Sequence, residues 1–143
     1  MMNDDYILKQ INQTAQFLAF ILSKIFGLSK SGNTEESYMQ TNELLKKYLG
    51  LDMDEIVHMK DELFISELQK KYKFGNEEFS HLGDILFELA NQQKSLGKPS
   101  SMMYAKALLI FDYLETSEKI FSIDRHYKKQ KIQDEKLDKS NTD

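Results

Sequence analysis

Apolar residues recur at three- and four-residue spacing along nearly the whole chain, and no segment alternates with the period of two that a half-buried strand requires. A single proline in 143 residues leaves those runs almost uninterrupted. The pattern predicts an all-α fold of about six helices. The length suits one ordinary domain, and an apolar content of 41% is enough to build its core. Without cysteine, disulfides, thiolate metal sites and cysteine nucleophiles are all excluded. A net charge of −4 lacks the basic excess of a dedicated nucleic-acid binder.

The first helix is read from Asp4 and Asp5, which suit a cap and first turn, to the neighbourhood of Gly27. Ile7, Ile11, Ala15, Leu18, Leu22 and Ile25 form its stripe, and Leu8, Phe17, Ala19, Phe20, Ile21 and Phe26 widen it. Fourteen residues from Gln10 to Ser23 carry no charge. A bilayer span needs about 20 apolar residues, and this run stops at Lys24. The acidic start argues against a secretory signal, so the cytoplasm is the expected compartment. An in-plane membrane helix favours a lysine-rich polar face, whereas this one offers Asn12, Gln13 and Gln16. Burial against protein is therefore expected. Phe17, Phe20, Ile21, Leu22 and Ile25 are the candidate interface for self-association, with a dimer as the expected form, or for a protein partner.

Beyond a loop at Ser29–Asn33, Thr34 opens a second helix along Tyr38, Thr41, Leu45 and Tyr48, with Gly50 as its stop. Asp52 opens a short third helix and Asp61 a fourth. Asn76 is the expected cap of a fifth, which carries Phe79, Leu82, Leu86 and Leu89. Pro99 suits the start of a sixth helix. That helix is apolar almost all round through Met102, Tyr104, Leu108 and Phe111, and is expected to be the central element. The short connection at Leu96–Pro99 predicts an antiparallel hairpin. Residues 1–122 are read as one helical domain. Residues 123–143, mostly charge and amide with Tyr127, Ile132 and Leu137 as sparse apolar points, are read as a helical extension or disordered tail.

The hairpin carries Leu82-Gly83, then Ser100, Tyr104 and Ala107-Leu108, and in this it resembles a tetratricopeptide-type unit. Gly83 and Ala90 share a face seven residues apart, and Ala107 keeps the partner small, so Leu82, Gly83, Ala90, Tyr104, Ala107 and Leu108 are the expected packing residues. The turn is about two residues out of register with that pattern, and one hairpin falls short of the three or more repeats a solenoid needs. The chain is also similar to a small bacterial family of uncharacterised all-α proteins. The shared elements are Asp5-Tyr6-Ile7, then Ile11, Ala15, Phe17 and Leu18, then Leu49-Gly50-Leu51, and the segments Gly83-Asp84-Ile85 and Tyr104-Ala105-Lys106-Ala107-Leu108. That resemblance implies the fold and brings no catalytic residue with it.

No motif carries chemistry. His58, His81 and His126 lie on different predicted elements without metal-ligand spacing. Asp52-Met53-Asp54-Glu55 begins like a calcium loop but continues with Ile56 and Val57, where a ligand and a glycine are needed. Glu78-Phe79-Ser80-His81 lacks the second Glu-x-x-His of a di-iron bundle. The acidic pairs Glu35-Glu36, Asp61-Glu62 and Glu77-Glu78 fall in first turns, where the helix dipole favours them. No phosphate-binding glycine loop or nucleophile elbow is present. The sequence therefore assigns no catalytic, cofactor or metal residue, and a non-enzymatic interaction or scaffold module is the leading expectation. The alternative is a small-ligand or lipid-binding protein with a cavity between the first and sixth helices.

Overall fold

The structure, a computed structural model, describes residues 2–142, and the side chains of residues 13–136. The described residues form seven helices and no strand: α1 (Met2–Lys30), α2 (Thr34–Leu49), α3 (Met53–His58), α4 (Asp61–Tyr72), α5 (Asn76–Ser95), α6 (Ser101–Glu118) and α7 (Ile123–Thr142). The fold is all-α. The side chains of Asp4, Asp5, Ile7, Leu8, Ile11 and Leu137 lie outside the described residues.

Several helix ends differ from expectation for local reasons. α1 runs through Gly27 to Lys30, and the chain turns instead at Gly32, whose φ of +80° is the left-handed conformation glycine adopts at little cost. Asp52 caps α3 by accepting a hydrogen bond from the Asp54 amide. Asn76 does not cap α5: Gly75 takes the N-cap position, while the Asn76 side chain bonds Ser117 on α6. Pro99 stands outside α6, two residues before its first turn, because Ser100 occupies the N-cap.

α5 and α6 form an antiparallel hairpin, with Asn76 beside Ser117, Gly83 against Ile110 and Phe111, and Asn91 bonded to Tyr104. A Cβ at Gly83 would lie 2.8 Å from Phe111 Cε1 and 3.0 Å from Ile110 Cγ2, so the close approach requires glycine. Leu82, Gly83, Ala90, Tyr104 and Ala107 are buried, and Leu108 is half-buried against the core. α5 and α6 share the centre: α1 and α2 pack on α5, while α3, α4 and α7 pack on α6. α6 leaves Met102 exposed, and the buried residues of α5 run from Glu78 to Gln92.

α3 and α4 pack on α6, and Lys106 secures their junction. Its side chain is only 3% exposed. The ammonium donates to the Met59 carbonyl at the end of α3 and to Asp61 Oδ1 (2.6 Å) at the start of α4, and it lies 5.2 Å from the Phe64 ring centre. α7 lies along α6 and buries Ile132. Lys128 pairs with Asp84 (2.8 Å) on α5, and Lys129 pairs with Asp112 (2.7 Å) and Glu115 (2.8 Å) on α6. Lys94 reaches Glu135. The charged last segment is thus a helix tied to the hairpin by ion pairs.

Candidate functional site

The candidate interface residues of α1 separate when the helix docks on α5. Ile21 and Ile25 are fully buried in the chain's own core, because the face that carries them is the one laid against α5 and α2. Phe17 and Leu22 are half-buried against that core, and the Phe17 ring meets Tyr48 at 5.1 Å. Phe20 alone of the five stands out, 52% exposed beneath Lys24. Phe26, a turn and a half further on, is also exposed. Between α1 and α5 runs an open trough of about 530 Å³ with Leu22, Phe26 and His81 on its walls.

A second apolar surface lies at the α6–α7 corner. Lys119 ends α6 in the left-handed conformation, at φ 56°, and throws the chain outward. At this corner the polar residues turn inward. Ser122 Oγ accepts from the Arg125 amide (3.2 Å), and the mostly buried Arg125 guanidinium binds Glu118 (3.0 Å). The apolar residues are left outside. Ile120, Phe121, Ile123 and Tyr127 are 65%, 70%, 78% and 64% exposed, more than any other large apolar side chain described. Ile123 and Tyr127 share one helical face, and the Phe121 ring leans on His126 at 5.6 Å. The charges around this knuckle are largely paired among themselves: Arg125 with Glu118, Lys128 with Asp124, and Lys129 with Glu115.

No protein-family model, curated protein or solved structure matches the chain. The geometry therefore carries the functional argument.

His58, His81 and His126 fall on α3, α5 and α7. Among the described residues no group of three or more histidines and carboxylates is placed to hold a metal ion, and no helix is long and apolar enough to cross a membrane. Glu88, half-buried on α5, has its carboxyl raised above the usual range by burial, an effect that Lys128 and Lys131 partly offset. Tyr104 is pushed up to about 12 by burial and by the charges of Glu135 and Glu88. Both groups lie near charged residues of α7, Glu88 beside Lys128 and Lys131 and Tyr104 beside Glu135. The knuckle escaped the sequence reading because Ile120-Phe121-Ser122-Ile123 looks like the apolar end of a helix. Its signal is the charge on both sides, at Lys119 and Asp124, with no glycine or proline to mark the corner.

Proposed function

We propose that this is a non-enzymatic helical interaction module of the cytoplasm, acting by self-association through its α6–α7 corner. The observation that carries the reading is the outward placement of Ile120, Phe121, Ile123 and Tyr127 around a polar interior. A monomer gains nothing from four large apolar side chains in water, and such patches mark contact surfaces. A second copy is the fitting partner. Where a patch meets its own like across a two-fold axis, unpaired charges would repel, and here the flanking charges already hold one another. Phe20 and Phe26 on α1 extend the apolar surface available to a protein partner. A tetratricopeptide-like hairpin belongs to the same reading, supported by the close approach at Gly83 and by Tyr104 packed edge-on to Phe87 at 6.2 Å.

Sedimentation velocity of the full chain, beside Phe121→Asp and Phe20→Asp, tests this. Wild type sediments as a dimer, and Phe121→Asp as a monomer that keeps the helical circular-dichroism spectrum and loses the concentration dependence of the melting temperature. A wild-type monomer at every concentration overturns the reading. So does a dimer that Phe121→Asp leaves intact.

A further inference from the structure

The C-terminal half of α1 differs in charge from the rest of this acidic chain. From Tyr6 to Thr34 the sequence holds no Asp or Glu. Other lysines of the fold are held by carboxylates, Lys106 by Asp61, Lys128 by Asp84 and Lys129 by Glu115. Lys24 and Lys30 are exposed and have no carboxylate partner among the described residues. The Lys24 ammonium lies over the Phe20 ring, 5.7 Å from its centre. Lys30 lines the trough of about 530 Å³ between α1 and α5, and Lys24 follows Ser23, which lines it too. No Asp or Glu is among the described residues of its walls.

The trough has the shape of a helix seat. Ala19, Ser23 and Gly27 recur every four residues along its α1 wall, beside Leu22 and Phe26. Side chains four apart form the ridges and grooves by which helices pack, so a row of small ones is a groove for another helix's ridge. From Ala19 to Lys30 it runs about 16 Å, or three turns. Nothing in the fold requires Gly27 to lack a side chain. It stands within the helix, apart from the left-handed turn at Gly32, and a Cβ there would meet nothing within 4 Å. A glycine inside a helix weakens it relative to alanine. At Gly83 the approach of Phe111 accounts for that loss, whereas at Gly27 the chain's own packing does not.

We propose that this trough docks an amphipathic helix of a partner protein, its apolar ridge along Ala19, Ser23 and Gly27 and its acidic first turns over Lys24 and Lys30. Acidic side chains are favoured in the first turns of a helix, so the partner runs antiparallel to α1 and the two dipoles oppose. A second copy does not fit, because a two-fold contact would set these lysines against their own like. A membrane surface takes a convex apolar face rather than a groove. The surface is separate from the α6–α7 corner, and its occupant is a different chain.

The test is fluorescence anisotropy of a labelled amphipathic peptide of about 18 residues, titrated with the full chain. The peptide carries leucines at helical spacing and glutamates in its first turns; a second peptide has lysine in place of each glutamate. The glutamate peptide is expected to bind about tenfold more tightly, an advantage that shrinks as salt rises. In the double variant Lys24→Glu, Lys30→Glu the order of the two peptides reverses. Gly27→Gln sets a long side chain in the groove and weakens binding about tenfold, while the melting temperature holds or rises. Equal affinity for the two peptides overturns the proposal, as does undiminished binding by Gly27→Gln or no binding at about 100 µM protein. Vesicles containing phosphatidylserine are titrated in parallel, and preference for them over the glutamate peptide overturns it too.

Discussion

The α5–α6 hairpin and α7 are joined to the same core by different forces. The hairpin is held by close apolar contact: Gly83 lets Ile110 and Phe111 approach, and the Phe87 ring packs edge-on to both Phe111 and Tyr104. α7 is held by lysines reaching Asp84, Asp112 and Glu115, with Ile132 as its fully buried apolar anchor. The difference teaches where this chain is rigid and where it adapts. Contacts of shape fix the hairpin in one arrangement, whereas contacts of charge respond to salt and pH. The apolar corner sits at the joint between the two regions, next to the helix held by charge.

The contrast breaks first at Phe111. Phe111→Ala removes a fully buried ring and should cost about 3–5 kcal/mol in urea unfolding; a loss under about 1 kcal/mol would mean that the hairpin is not the rigid region. Ile132→Ala should cost about 2–4 kcal/mol. Its hydrogen-exchange protection should fall along α7 while α5 and α6 keep theirs; a uniform loss would join the two regions into one cooperative unit. Gly83→Ala gains helix propensity but forces the Phe111 ring aside, for a net loss of about 1–2 kcal/mol. The double variant with Phe111→Leu should recover part of that loss, a coupling that a double-mutant cycle measures.

Charge carries the smallest effects. Each ion pair of α7 contributes about 1 kcal/mol or less, and salt near 1 M should loosen α7 alone. Hydrogen bonds and carboxylate charges raise Lys129 above the ordinary lysine value of 10.5, and Asp84 and Asp124 raise Lys128 despite its burial. For a lysine raised in the folded state, the stabilisation is complete below 10.5 and disappears as pH climbs past the raised value. Tyr104 moves in the same direction for another reason. Burial, and then the charges of Glu135 and Glu88, delay its ionisation to about 12 in the fold against 10.0 in the open chain, so stability falls between those values. Alkaline melts of Tyr104→Phe should flatten that decline in the hairpin and leave the α7 decline in place.

Helix type and most of the core were legible in the chain because burial follows the apolar period. Leu18, Leu45, Phe64, Leu82 and Ile110 all come from stripes of that kind and are fully buried. Lys106 was not legible. Between Ala105 and Ala107 it reads as an ordinary solvated lysine, and only the tertiary meeting of Met59 and Asp61 gives its charge somewhere to go. The docking of α7 was hidden for the same reason, since its partners lie some forty residues away on α5 or one helix back on α6. The corner reverses the sequence rule. Arg125 turns inward because Glu118 is there to receive it, and Phe121 turns outward because no apolar surface covers it. On α1, Ile21 and Phe20 are neighbours of similar hydrophobicity, and only the placement of α5 decides which one reaches the surface.

Hydrogen exchange of the full chain, followed across a dilution series, tests the role of the corner most directly. The account predicts that residues 119–127 gain protection as concentration rises, while α5 and α6 exchange at the same rates throughout. Exchange at the corner that is independent of concentration would contradict it.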